Sequence, residues 1–291
     1  MHQHDPVFRW KEKDGIVHSL LNDFEKQNTD SGLSIKMVVN GAEHYELGSH
    51  HYCLTPSTYL VVNRHQQVSC SVRSPKLVEA FCFYLRPEMV QEVWQQYTTT
   101  LEQQLKRVDS TNISLRFHEK AYHLQENVLG KYLATLRPKL LHIAHTQQNY
   151  QKEALLYQLS EQLIGMHLSV NGQLQALPAT RHTTKEELSR RLSIAYAYIA
   201  DHFQTTITLE EVAKAAMLSK YHLLRSYKSF YGITPYQHAL QCRLAKAKNQ
   251  LLQTPSKSIT TIALDAGYAD RRTFSKAFKQ AFGIAPTTYR K

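Results

Sequence analysis

Residues 207–235 read ITLEEVAKAAMLSKYHLLRSYKSFYGITP, and residues 258–286 read SITTIALDAGYADRRTFSKAFKQAFGIAP. The second stretch repeats the first. Ala213 and Ala216 match Ala263 and Ala266, and Gly232 and Pro235 match Gly283 and Pro286. The distance from alanine to closing proline is 22 residues in one copy and 23 in the other. The extra residue falls near Asp270, where a turn is expected, so the repeat absorbs it.

Each copy has the layout of a helix-turn-helix. Thr208 precedes an apolar run with Glu211 three residues on, which predicts a capping box. Leu209, Val212, Ala213 and Ala216 recur at helical spacing. The small alanines let a second helix cross closely. Ser219 is the expected N-cap of that helix, and Leu223, Tyr227 and Tyr231 its buried stripe. Gly232 supplies the stop, and Pro235 suits the first turn of the next helix. In the second copy Asp270 takes the cap and Phe274, Phe278 and Phe282 the stripe. A plain antiparallel helical hairpin has the same layout. The duplication and the charge pattern favour a DNA reader.

The outward positions of the second helix carry Lys220, Tyr221, Leu224, Arg225 and Lys228 in the first copy. They carry Arg271, Arg272, Thr273, Ser275, Lys276 and Lys279 in the second. An α-helix fits the major groove, where arginine and lysine donate to guanine edges or to phosphates. Tyr221, Leu224, Arg225, Arg271, Arg272, Thr273 and Lys276 are the expected base-edge contacts. Lys220, Lys228 and Lys279 are better placed for phosphates. Leu224 fits either a thymine methyl or the core.

The last hundred residues resemble the DNA-binding domain of the AraC/XylS family of bacterial transcription regulators. The resemblance rests on Ala213, Ser219, Leu223, Tyr227-Lys228 and Gly232-Ile-Thr-Pro235 in the first copy. It continues through Arg243-Leu-Ala-Lys-Ala247, Leu251-Leu252, Ile259, Ile262-Ala263, Ala266-Gly-Tyr268 and Phe274. Phe278-Lys279, Gly283-Ile-Ala-Pro286 and Tyr289-Arg290 complete it. It implies seven helices, with two helix-turn-helix units bridged by a long helix, here Tyr236 to about Gln253. Two recognition helices on one frame would enter successive major grooves about one turn apart.

Charge follows the same division. The 291 residues carry a net charge of +11. From Arg190 onward there are 16 Lys and Arg against 5 Asp and Glu, while the first 189 residues hold 19 of each. A neutral part joined to a basic one predicts a nucleic-acid partner for the basic part alone. The opening MHQHDPVFRWKEKDG is polar, without the apolar core of an export signal, and no apolar span or basic amphipathic anchor follows. Cys53, Cys70, Cys82 and Cys242 lie far apart without a CxxC pair and read as reduced thiols. A cytoplasmic protein with no membrane contact is expected.

Residues 16–26 suggest a short amphipathic helix, with Ile16, Leu20, Leu21 and Phe24 at helical spacing. From Leu33 to Leu85 short β-rich runs alternate with polar breaks, with turns expected at Gly41, Gly48, Pro56 and Pro75. That rhythm predicts a small barrel or sandwich, and it is similar to the cupin-like ligand-binding domain in front of many AraC-family regulators. Such a barrel can enclose an effector pocket. His44, His51, Tyr59 and Arg64 are the candidate ligand contacts, with His50 and His65 beside them. The two adjacent histidines point to opposite faces of a strand, and the HxH pair of a cupin metal site is missing. No catalytic, metal or cofactor set is expected.

Helices are expected from Arg86 to about Leu105, from Glu119 to Leu136 and from Tyr150 to Val170. Breaks are expected at 98–101 and 109–112. In the last helix Leu156, Leu159, Leu163, Met166 and Val170 form a short heptad seam. Packing against the barrel and a homodimer contact both fit it. Asn171 to Glu187 is polar, contains Gly172 and Pro178, and reads as a linker. A support helix with Leu188, Leu192, Tyr196, Ile199 and Phe203 on one face follows.

The expected fold is α+β. A cupin-like barrel with a helical extension fills 1–170, with strands about 33–85 and helices about 87–170. After the linker at 171–187, an all-α domain with two helix-turn-helix units fills 188–291. The expected function is a sequence-specific transcription regulator, activator or repressor, answering to a small-molecule effector. Double-stranded DNA is the expected partner, and a homodimer and contact with RNA polymerase complete the set the resemblance allows. A cupin-type metal enzyme fused to a DNA reader and a ligand-independent DNA-binding protein stay open as rivals.

Overall fold

The computed structural model describes residues 15–98, 115–140, 149–177, 182–254 and 256–290. The chain forms two compact units, Met1–Gly172 and Gln173–Lys291.

The first unit is an antiparallel barrel with helices on it. Its strands are β1 (Gly15–Ser31), β2 (Ser34–Asn40), β3 (Glu43–Leu47), β4 (His50–Leu54), β5 (Thr58–Val62), β6 (Gln66–Tyr84) and β7 (Ala121–His123). They pair in the order β4-β3-β6-β2-β5-β7, with β1 along the other side of β6. β4 and β7, the two ends of that order, lie side by side, so the barrel is nearly closed. β6 is shared: residues 68–71 pair with β3, and residues 79–84 with β2. Between them Arg73 pairs with Asp23 and Val78 with Leu21, so the intervening residues bulge out of the ladder. Pro75, expected at a turn, sits in that bulge, where its missing N–H costs no ladder bond. Gly41 and Gly48 do turn the chain, with φ of 85° and 57°.

Two sequence expectations fail here for one reason. The helix expected at 16–26 is β1, whose pairing with β6 runs almost its full length. The start of the helix expected from Glu119 is β7, in which Tyr122 pairs with Tyr59. Apolar residues three or four apart fit a helix or a bulged strand, and the strand partner lies far along the chain. Helix α1 (Pro87–Thr98) begins at Pro87 as expected and still includes Thr98, the first residue of the expected break; the rest of that break, the second break and the expected continuation to Leu105 lie outside the described residues. α2 (Val128–Leu136) starts only after Asn127, whose side chain accepts from the Gly130 amide. Its buried face carries Leu129, Leu133 and Leu136.

α3 (Asn149–Ala176) is longer than expected. Its heptad seam is internal: Leu156, Leu159, Leu163, Met166 and Val170 are all at most 4% exposed. Met166 Sδ accepts a hydrogen bond from Tyr59 on β5, so the seam faces the barrel and not a second copy. Of the two readings of this seam, packing against the barrel is the one that its burial supports.

The polar interval expected as a linker is helical through Ala176 and again from the start of α4 (His182–His202). Leu174 and Leu177 are buried there, which a polar count over 171–187 obscured. α5 (Leu209–Ala215), α6 (Lys220–Tyr231), α7 (Pro235–Gln253), α8 (Ile259–Asp265), α9 (Arg271–Phe282) and α10 (Pro286–Tyr289) complete the second unit. With α4 they make the seven helices expected. Among the described residues no helix is long and apolar enough to cross a membrane.

Candidate DNA-binding surface and sensor cavity

The duplication in sequence is a duplication in backbone geometry. α5 starts with the capping box of Thr208 and Glu211, and α8 starts on Ser258, which accepts from the Thr261 amide. The turn after each helix closes in the same way. Leu218 N–H donates to Ala213 O at 2.9 Å in the first copy, and Tyr268 N–H to Ala263 O at 3.0 Å in the second. Both turns need one left-handed residue. Met217 supplies it with φ 52°, and Gly267 with φ 87°. Each second helix then starts on its expected cap, Ser219 or Asp270, and ends on a left-handed glycine, Gly232 or Gly283.

Packing fixes how these helices stand. Ala213, Ala216, Ala263 and Ala266 are all buried, as close crossing requires. α6 buries Leu223, Tyr227 and Phe230, and the Tyr227 hydroxyl meets His238 Nδ1 of α7 at 2.7 Å. α9 buries Phe274 and Phe278 against Leu244, Ala247 and Leu251 of the same α7. Tyr231 and Phe282, expected in the stripes, are half-buried at their ends. The bridging helix thus contributes to both cores. Arg243 on α7 adds a tie that residue spacing did not show. Its guanidinium donates to Phe203 O at 2.7 Å and Thr205 O at 3.0 Å, satisfying carbonyls just past the end of α4.

The faces left outward are the basic ones. Lys220, Tyr221, Leu224, Arg225 and Lys228 are exposed on α6, and Arg271, Arg272, Thr273, Lys276 and Lys279 on α9, with Ser275 half-buried. Leu224 is 40% exposed, so it does not belong to the core. Lys220 lies 3.4 Å from Glu210. Arg225, Lys228, Lys276 and Lys279 have no carboxylate within ion-pair distance among the described residues. Thr273 is partly committed: its amide and hydroxyl donate to Asp270 at 2.7 and 2.9 Å. Its hydroxyl oxygen keeps the capacity to accept, which suits an adenine or cytosine amino group.

Those donors hold the Asp270 carboxyl below its usual range, the backbone amide of Thr273 first. A lowered folded pKa gives stability that is present above the unfolded value of about 3.9 and lost as pH falls through the folded one. Asp270→Asn keeps an amide oxygen at the cap but not the charge. The melting-temperature advantage of wild type over this variant should therefore shrink between pH 7 and pH 3. An advantage that stays constant over that range would show that the charge plays no part.

In the first unit the four candidate ligand contacts do not come together. His44 is exposed on β3, and His51 is exposed on β4, where it lies 3.2 Å from Glu46. Tyr59 is fully buried, stacked on Tyr122, with its hydroxyl donating to Asn127 Oδ1 at 2.7 Å. Strand alternation and full burial in the core explain this separation. Arg64 lines one cavity, and His44 lines a separate, smaller one between β1, β3 and β6.

Lys36 points inward, its ammonium 3.4 Å from Cys82 Sγ and over the rings of Tyr45 and Tyr84. Tyr45 donates to Glu43 at 2.6 Å, and burial raises the pKa of that carboxyl. Burial also pushes the Cys70 thiol up to about 12. Among the described residues no group of three or more His, Cys, Asp or Glu side chains could hold a metal ion.

A cavity of about 450 Å³ lies instead at the barrel rim. It is lined by the β5–β6 connection (Asn63, Arg64, His65), by Pro87, Val90 and Gln91 of α1, and by Leu115, Arg116 and Phe117. Arg116 and Phe117 were missed at the sequence level, since nothing beside them in the chain marks them.

Comparison with known proteins agrees with this division. A model described as "AraC-like ligand binding domain" matches residues 18–160, and one described as "Helix-turn-helix domain" matches residues 212–291. The MmsAB operon regulatory protein of Pseudomonas aeruginosa is 35% identical over 95 residues, 33% of this chain and 31% of that protein. The HTH-type transcriptional activator RhaS of Escherichia fergusonii is 35% identical over 105 residues, 36% of this chain and 37% of that protein. The chain thus spans about a third of the length of these curated relatives. Among solved structures, the C-terminal domain of AraT, a response regulator from Geobacillus stearothermophilus, is 38% identical with a TM-score of 0.34. That match covers 35% of this chain and 85% of that one.

Proposed function

The chain belongs to the AraC/XylS family of transcription regulators, and from that premise we propose that it binds a specific promoter sequence and answers to a small-molecule effector held by its first unit. The observation that carries the proposal is the pair of outward basic faces on α6 and α9. Each stands on its own buried aromatic core, and α7 joins the two cores. Helices presented in this way fit successive turns of the major groove. Phosphate contacts set the register, and base-edge contacts from Arg225, Arg271, Arg272 and Lys276 select the sequence. Tyr221, Leu224 and Thr273 complete the expected reading set. Lys220, Lys228 and Lys279 hold phosphates.

Activation through contact with RNA polymerase is the mode we propose, in keeping with the activator named among the relatives. With the α3 seam buried, a homodimer would have to form through another surface.

Selection of duplexes from a random pool with the full chain tests the reading. The expected product is a site with two elements about 10 base pairs apart, one helical turn. A pool that emerges with no enriched sequence would sink the proposal. On the selected duplex and on a scrambled one alike, Lys279→Ala should lower affinity. It should also reduce the slope of log K against log salt by about 1. An unchanged slope would remove Lys279 from the phosphate contacts.

A further inference from the structure

We propose that the cavity rimmed by Arg64 and Arg116 binds a small organic anion, a carboxylate on an apolar body, and that this anion is the effector. The proposal rests on the regulator reading above and names the ligand class and the site.

The cavity is preformed. Asn63 at the end of β5 donates from its side-chain amide to Phe117 O at 2.8 Å and accepts from Phe117 N–H at 2.8 Å. The Asn63 N–H also donates to Glu119 at 3.0 Å. These bonds join the barrel rim to the 115–117 segment, so no strand has to move to make the space. A volume of about 450 Å³ falls within the usual range for small-molecule sites.

The lining decides the ligand. Leu33, Val90, Leu115 and Phe117 give apolar walls, and among the described residues none of those lining it is acidic. Arg64 and Arg116 both line the same space, and neither has a carboxylate within ion-pair distance among the described residues. Arginine stays protonated at every physiological pH, and its planar fork matches a carboxylate. α1 begins on the cavity wall at Pro87, so the positive end of its dipole adds to the same field. Two lone surface arginines would be an ordinary solvated feature. Their place in one lining with apolar side chains is what favours an amphiphilic anion over a neutral sugar, which would need acceptors as well as donors.

The test uses the full chain and two carboxylate probes, octanoate and naphthalene-2-carboxylate, each paired with its neutral primary amide. Calorimetry should show at least one carboxylate binding with its amide weaker by about tenfold or more. Arg64→Gln and Arg116→Gln should each weaken the carboxylate by about tenfold and leave the amide unchanged. Both variants should melt as wild type and bind the selected duplex as wild type in the absence of probe. The bound carboxylate should also shift duplex affinity in wild type but not in the double variant. The proposal is overturned if neither carboxylate binds, if amide and acid bind alike, if the double variant binds as wild type, or if binding leaves duplex affinity unchanged. Each of these outcomes is compatible with a protein that still selects its own duplex, so failure here is separate from failure of the regulator reading.

Discussion

Arg225→Ala is expected to weaken binding to the selected duplex by about 1–3 kcal/mol and to leave binding to a scrambled duplex nearly unchanged. Arg225 is exposed on α6, one turn along from Tyr221 and beside Leu224, and it has no carboxylate partner among the described residues. A guanidinium without an internal partner is free to donate to a base edge in two places at once. Lys220, by contrast, is drawn toward Glu210 at 3.4 Å. The truncation removes nothing that holds the helix. α6 is fixed by Leu223, Tyr227 and Phe230 on its inner side and by Ser219 at its start. Fluorescence anisotropy titrations with the two duplexes, at one stated salt concentration, separate the outcomes. An equal loss on both would make Arg225 a phosphate contact and move the reading of the first element to its neighbours.

Gly267→Ala should destabilise the second unit by about 2–5 kcal/mol, whereas Met217→Ala at the matching turn should change stability by less than about 1 kcal/mol. Both residues occupy the left-handed region, with φ of 87° and 52°. What differs is the space around them. A methyl group on Gly267 would lie 2.7 Å from the carbonyl oxygen of Gln204 and 2.8 Å from its Cα. Those are backbone atoms at the end of α4, where Arg243 already binds Phe203 O and Thr205 O. Relief of the clash would therefore disturb the tie between α4 and α7. Met217 is 67% exposed and already carries a side chain in the left-handed conformation. Chemical denaturation of both variants gives the comparison. Equal, small losses would mean that the α4 end yields without cost and that the glycine serves only its own φ.

Much of the second unit was legible because its determinants are local. A cap and its acceptor lie three residues apart, as in Thr208 and Glu211 or Asp270 and Thr273. The buried stripes recur every four residues, and the repeat shows each rule twice. The first unit was read less well. The pattern Ile16, Leu20, Leu21, Phe24 satisfied a helix, yet β6, which makes it a strand, begins some forty residues later. Tyr59 was chosen as a polar group for a pocket, and it is instead a core residue whose hydroxyl is satisfied by Asn127. Of the ligand contacts proposed from sequence, Arg64 lines the rim cavity with His65, His44 lines a separate one, and Arg116, which shares the rim cavity, carries no local signature at all.

Taken alone, the amino-acid order determined the twin helix-turn-helix units, their caps and stops, the basic faces and the segregation of charge. Each of these depends on neighbours within one or two helical turns, or on a repeat visible without folding. Tertiary structure alone decided that residues 15–31 are a strand, that the α3 seam faces its own barrel, and that Arg64 and Arg116 share one cavity. Those outcomes depend on pairings between distant segments, above all the reciprocal hydrogen bonds of Asn63 and Phe117, and spacing along the chain does not encode which distant partner a strand or loop will meet.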